Sequence, residues 1–400
     1  MEQTFLTGIN IENVRHLSNI LIPLDKNIRK HLILTGKNGS GKTSVLEAAV
    51  KYIRSFLGEY GTPFDHVKMM HERSLNALNR FNLSEDSEEN RKKFFDAKKT
   101  YDLWKRELKR LDSGVTLNST SDAMLREKYE SGNFIFAYYK AERELQVEEY
   151  KNIVKVEFQD KYSVAENPGK KFTKYLVDLK ATQAFTKDRE KYEKIDKWFH
   201  AFEDILKRIF EDENLQLKFN DETFQFSICE TDREPFDFNT MSSGYAAIFE
   251  VINDLIIRME ARSGLQTEFG MEGIVLIDEI ETHLHLELQK KILPVLTTLF
   301  PNIQFIVTSH SPFILNSIRN AVIYDLENHL LVENGLDNVP YDGIVEGYFG
   351  ADKLSDMLKE KFGQYKRLVK KENLSDGELN KLAELELYLD EIPDYLAAVY

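Results

Sequence analysis

One stretch constrains this chain more than any other: HLILTGKNGSGKTSVLEAAV, in which β-formers from Leu32 to Thr35 run into a glycine-rich loop and leave as an amphipathic helix. Gly36, Gly39 and Gly41 let successive backbone N–H groups turn inward around an anion, because no Cβ blocks the backbone angles such a turn needs. A helix opening at about Lys42 aims its own unpaired N–H groups and dipole at the same anion. In that setting Lys42 reaches the β- and γ-phosphates of a nucleotide and the Thr43 hydroxyl ligates magnesium, with Asn38, Ser40 and Ser44 in the same loop. Val45, Ala49, Tyr52, Ile53 and Phe56 recur at helical spacing. They supply the strand, loop and helix context without which the pattern is an ordinary glycine-rich turn.

A loop of this kind belongs in an α/β sheet, so further functional groups are expected where other apolar strands end. In GIVLIDEIETHLH the run Ile274 to Ile277 reads as a central parallel strand and ends in two adjacent carboxylates, Asp278 and Glu279. They point in different directions. One is suited to hold magnesium through its water shell and the other to take a proton from an attacking water. IQFIVTSHSPFIL repeats the design, a strand from Ile303 to Val307 ending in Thr308, Ser309 and His310. His310 is either a hydrogen-bonded structural residue or a sensor of a γ-phosphate. His283 and His285, with Glu281 nearby, raise a zinc alternative, which the i, i+2 spacing disfavours.

Three weaker signals stay open. Ser242, Ser243 and Gly244 precede a helix with apolar Ile248, Val251, Leu255, Ile256 and Met259, and form either a plain cap or a second helix start offered to an anion. Arg143 and Gln146 follow the strand Phe134 to Tyr139 and are ligand contacts or loop surface. Arg15, at the end of the first hairpin, is solvated or lies beside the nucleotide.

Strands are expected over Phe5 to Val14 and Ile20 to Leu24, with a turn near His16 to Asn19. After the first helix a polar, helix-rich insertion runs to about Gly132. Its clearest element begins at Ser84, where Asp86 and Glu89 resemble a capping box, and carries Phe94, Ala97, Tyr101, Trp104, Leu108 and Leu111 as a heptad seam. Such a seam demands a partner helix, in the same insertion or across a dimer. Between Arg91 and Arg110 stand nine basic residues against Asp96, Asp102 and Glu107. The segment is a solvated helix or a contact for nucleic acid or an acidic partner, with Lys98, Lys99, Lys105 and Lys109 on an exposed ridge.

Against a net charge of −14 over 400 residues, that basic segment is local, and coating of nucleic acid by the whole surface is excluded. The single cysteine, Cys229, rules out an internal disulfide and a cysteine-built zinc site, fits a reducing compartment, and is expected to be a small buried hydrophobe. No charged-then-apolar leader opens the sequence and no apolar run approaches about 20 residues, so a cytoplasmic chain without membrane attachment is expected.

The order GKNGSGKT, MSSGY, VLIDEIETHLH and FIVTSHS resembles the ABC-type ATPases of the RecF, SMC and OLD-like group, AAA-family proteins of the kind found in bacterial anti-phage defence. The resemblance implies an α/β P-loop NTPase head with a mixed central sheet, an N-terminal antiparallel β subdomain and a large helical insertion. The head would comprise residues 1–58 and 236–325, the insertion 59–132, a Q-loop region and lobe 133–235, and a C-terminal helical extension 326–400. Its cofactors would be ATP and Mg2+. Lys42 and Thr43 would serve the Walker A motif, Ser242 to Gly244 the signature acting in trans, Asp278 (metal) and Glu279 (base) Walker B, Thr282 to His285 the D-loop, and His310 the switch. Arg15 resembles the N-terminal arginine of such heads, and the Q-loop falls near Ala141 to Gln146. Met241, Tyr245 and His285 depart from the usual pattern.

The geometry implied is a homodimer of heads, or a higher oligomer, sandwiching two nucleotides. The stretch after His310 offers helices around Leu354 to Leu358 and Leu379 to Leu389 and no nuclease motif, so a separate effector, a nuclease or toxin, is the expected partner. A RecF-like DNA repair role is the alternative. A transporter role is disfavoured by the position of the insertion.

Overall fold

Continuous apolar runs pair into one sheet and alternating runs into another, as burial on two faces or one requires. The computed structural model describes residues 3–80, 88–143, 145, 153–265, 267, 269–344, 356–371 and 375–390. It divides into units 1–338 and 339–400.

In the first unit β1 (Leu6–Val14) and β2 (Leu17–Pro23) form an antiparallel hairpin, and β4 (Val115–Ser119) pairs with the other edge of β1. The turn is tighter than expected. It is Arg15 and His16, with Arg15 in the left-handed region at φ 55°, and Leu17 already lies in β2. The insertion is likewise interrupted: alternating Val115 and Leu117 are buried, so the chain returns to the head as a strand well before Gly132.

The central sheet is built on β3 (His31–Thr35), buried at every position. With β5 (Phe134–Tyr139), β8 (Glu272–Ile277), β9 (Ile303–Thr308), β10 (Ala321–Asp325) and β11 (Leu330–Val332) it makes the order β11-β10-β3-β9-β8-β5. All neighbours are parallel except β11, which runs antiparallel to β10. The head therefore continues past residue 325, where the extension was expected to begin. Each fully buried Leu or Ile of these strands contributes about 2 kcal/mol relative to exposure. Helix α1 (Lys42–Phe56) lays Val45, Leu46, Ala49 and Ile53 onto the same core as Ile9, Ile11 and Leu117.

The insertion is a helical hairpin. In it α2 (Phe64–Asn79) packs antiparallel against α3 (Glu88–Leu111), His66 meeting Trp104 and His71 meeting Tyr101. The heptad seam thus finds its partner within the insertion, although only Leu111 of α3 is fully buried. Ser84 and Asp86 lie outside the described residues. Helix α4 (Asp122–Glu130), capped by Ser121, leads into β5.

In the lobe, α5 (Phe172–Phe185) and α6 (Arg189–Phe210) gather Phe172, Trp198 and Phe202 into a buried aromatic cluster, with hairpin β6 (Gln216–Asn220) and β7 (Gln225–Cys229) beside it. Cys229, expected to be buried, is half-buried. Next comes α7 (Ser243–Ser263), apolar on most sides, which holds a buried ion pair of its own that bonds to Tyr139 and to the Phe136 carbonyl of β5. Arg258 donates to Asp254 at 2.7 Å, and the Tyr139 hydroxyl of β5 donates to the same carboxylate at 2.6 Å. Helix α8 (Leu286–Leu299) precedes β9.

The second unit holds helices Asp356–Val369 and Asp376–Asp390, which pack on each other with Lys361 over the Tyr388 ring. The earlier start expected near Leu354 lies outside the described residues. No helix among the described residues is long and apolar enough to cross a membrane.

Candidate nucleotide-binding site

Because β3, β9 and β8 are parallel neighbours, their C-terminal ends open side by side and deliver Gly36, Thr308 and Asp278 to one edge. Gly36 (φ 134°), Gly39 (φ 86°) and Gly41 (φ 98°) lie at positive φ. A Cβ on Gly36 would meet the Ser40 hydroxyl at 2.7 Å, so the loop closes only with glycine there. Gly41 caps α1 without a side-chain bond, and Lys42 opens the helix.

The Lys42 ammonium is buried and donates to the Gly36 carbonyl at 2.6 Å and the Lys37 carbonyl at 3.1 Å, inside the curve of the loop. Burial pulls its pKa down, while Glu279, Glu281, Asp278 and Asp325 push it back up. Asn38 is exposed, Ser44 half-buried, and the buried Ser40 hydroxyl has no hydrogen-bond partner among the described residues.

Asp278 is the junction. Its Oδ1 accepts from the Thr43 hydroxyl at 3.2 Å and from Thr308 at 2.6 Å, and Thr308 in turn accepts from the Glu279 N–H at 2.7 Å. The converging hydroxyl and carboxylate are hard oxygen donors of the type magnesium takes. Glu279 sits at φ 43°, in the left-handed region that a non-glycine residue seldom occupies, and its carboxylate accepts from Thr282 at 3.3 Å.

Arg143 is placed differently from the ligand contact weighed for it. It is buried, and its guanidinium donates to the carbonyls of Lys140, Asp278, Glu279 and Ile280 at 2.7–3.1 Å. It holds the turn that carries the two acids. Gln146 lies outside the described residues.

His310 follows β9 and is gripped by Glu281, which accepts from the His310 N–H at 2.7 Å and lies 2.9 Å from Nδ1. The hydrogen bond that its ring donates to Glu281 raises the His310 pKa. Burial alone would push the Glu281 carboxyl up, but the bonds from His310 outweigh it and hold the acid below its usual range. Glu281 is therefore committed to His310 while His283 and His285 are exposed, and no His, Cys, Asp and Glu cluster suited to a metal occurs among the described residues.

Ser242 and Ser243, expected from the resemblance to form a signature, are exposed at the start of α7, and Ser242 caps no N–H with its side chain. Gly244 is buried, and a Cβ there would lie 2.9 Å from the His283 carbonyl. The small residue seats α7 on the segment Thr282 to His285.

A cleft of about 530 Å³ opens beside the loop, lined by His16, Leu17 and Ile20 of the first hairpin, by Lys37 to Ser40, and by Leu326, Glu327 and His329. Arg15 is exposed and is not among its lining residues; its neighbour His16 is. The Lys37 ammonium pairs with Glu327 at 2.9 Å and its N–H donates to the same carboxylate, fastening the loop to the end of β10. Nothing local in the sequence marks Lys37 or Glu327 for this contact, and Glu281 reads there only as an alternative metal ligand. The one available signal was Thr308, a polar residue at a buried strand end.

This fold and site define a P-loop NTPase with an ABC-type head. Residues 32–316 match the family described as "AAA domain, putative AbiEii toxin, Type IV TA system", and the chain belongs to that family. It is 33% identical over 151 residues to the retron Ec83 probable ATPase of Escherichia coli, covering 36% of this chain and 27% of that protein. Septu protein PtuA of Bacillus thuringiensis is 29% identical over 170 residues, 38% of this chain and 42% of that protein. The chain thus spans less than half the length of these relatives. Among solved structures, the SMC head domain from Thermotoga maritima aligns with a TM-score of 0.35 and 9% identity over 80% of this chain and 94% of that one.

Proposed function

We propose that the chain is an ATP-hydrolysing switch of anti-phage defence: two copies close around two ATP molecules, and the closed state controls a separate effector such as a nuclease or toxin. The defence role rests on the likeness to the retron and Septu proteins. The nucleoside occupies the cleft beside His16, and the phosphates enter the loop at Lys42. Thr43 and Asp278 would hold magnesium, which would supply positive charge against the phosphates. Glu279 takes the proton of the attacking water, and His310 steadies the γ-phosphate. Arg15, exposed beside His16, is proposed to face the nucleotide of the closed dimer.

The observation that carries the dimer is the uncapped start of α7, with Ser242 and Ser243 turned to solvent. Such a terminus suits an anion brought by another molecule. Light scattering tests it: Glu279→Gln with ATP and Mg2+ should double in mass, and Lys42→Ala should stay at the mass of the ATP-free protein. If neither nucleotide nor the Glu279→Gln change alters the mass, the sandwich is wrong.

The second reading is a RecF-like DNA repair ATPase, favoured by 50% identity over 48 residues to the DNA replication and repair protein RecF of Rickettsia typhi. Stimulation of hydrolysis by undamaged host DNA alone, without any effector, would favour it.

A further inference from the structure

The outer face of α3 carries a repeated pattern. Doublets Arg91-Lys92, Lys98-Lys99 and Lys105-Arg106 recur every seven residues, about 10.5 Å along the axis. At about 100° per residue, Lys92, Phe95, Lys99, Leu103 and Arg106 share a sector of about 80°, opposite the seam that packs Tyr101 and Trp104 on α2.

Charged helices elsewhere in the molecule pair their cations along the helix, as Arg189 does with Glu193 and Lys194 with Glu190. In α3, Lys93 takes Glu89, Arg110 takes Glu107, and Lys105 lies near the Tyr101 ring. Lys92, Lys98, Lys99, Arg106 and Lys109 make no ion pair with any described residue, and all are exposed. Between the cations stand two large apolar side chains in water, Phe95 at 68% exposure, its ring edge-on to Phe94, and Leu103 at 53%. A merely solvating face has no use for either.

We infer that this face of the arm is a binding surface for single-stranded nucleic acid, with phosphates along the cation rows and an unpaired base against Phe95. Regular cations match the regular charge of a phosphate backbone, and a single strand leaves base faces free for an aromatic ring, whereas a duplex stacks them away. An acidic protein would satisfy the cations without explaining the exposed ring. The surface is remote in sequence from Lys42, Asp278 and Glu279, and the inference does not rest on the switch reading.

The test is fluorescence anisotropy on the whole chain with labelled single strands of DNA and of RNA about 20 nucleotides long, the matching duplexes, and polyglutamate as competitor. Single strands of one or both sugars should bind, more weakly as salt rises from about 50 to about 200 mM. Reversing Lys92, Lys98, Lys99, Arg106 and Lys109 together to Glu should cost about 100-fold or more at low salt and flatten the salt dependence. Phe95→Ala should cost about tenfold and leave the salt slope as it was. Unchanged helix content and ATP affinity establish that both variants are folded. Failure to bind single strands, duplex binding as tight as single-strand binding, binding of polyglutamate in preference to nucleic acid, or full binding by the five-site variant each overturns the proposal.

Discussion

Glu281 holds His310 at two points, the backbone N–H and the ring Nδ1, with the single oxygen Oε1. That contact fixes the ring, and Lys42 and Glu279 are the other charged groups acting on it. His310 has a raised pKa, so its protonated form and the pairing it gives are fully present below the ordinary histidine value and lost as pH rises through the raised one. Glu281 has a lowered pKa, so its contribution is present above the ordinary carboxylate value and lost as pH falls through the lowered one. The pair is intact between those limits.

Glu281→Gln should therefore move the alkaline limb of the ATP hydrolysis profile to lower pH, with a fall in kcat of up to about tenfold near pH 8 and little change near pH 6. Because the His310 side chain is half exposed, solvent moderates the effect. An unshifted limb in a steady-state pH series would remove His310 protonation from the reaction.

Glu279→Gln should reduce hydrolysis by about 100-fold or more while ATP still binds, since the amide keeps the shape and cannot take the proton. Single-turnover assays beside equilibrium ATP binding separate the two effects. Normal turnover would identify another group as the base.

Arg143→Ala should destabilise the head by about 3 kcal/mol, because buried carbonyls of Asp278, Glu279 and Ile280 lose their charged donor. Denaturant unfolding followed at Trp198 reads it. An unchanged midpoint would mean that β8 and Thr308 hold the turn unaided.

The strands and loops of the head were legible because their signals are local. A buried strand must be apolar throughout, and a phosphate loop must place glycine where φ is positive, so β3, β8, β9 and Gly36 to Lys42 announce themselves. What was missed depends on contacts across long sequence separations. Arg143 reads as a loop cation until the fold sets it against the carbonyls following β8. Glu281 reads as one more acid until β9 brings His310 to it. The hairpin seam of α3 was readable from period, and its partner α2 was not, since α2 fully buries only Val67 and Ser74.

Two variants that are each inactive should restore activity when mixed, if each nucleotide is shared by two copies. Lys42→Ala leaves the start of α7 intact and removes the cation from the loop. Ser243→Arg leaves the loop intact and sets a bulky cation where Ser243 is exposed, beside Gly244 packed on the His283 carbonyl. In a two-fold dimer of one variant alone, both sites are spoiled; in a mixed dimer one site combines the good loop of one copy with the good α7 of the other. A mixed dimer has one sound site of two, so recovery is capped at about half of the parent rate per copy. ATP affinity of the Ser243→Arg protein should equal the parent's before closure, which separates a failure to bind from a failure to close. A mixture no more active than its components, although light scattering detects mixed dimers, would place Ser243 outside the site of its partner and return the start of α7 to the role of an ordinary helix cap.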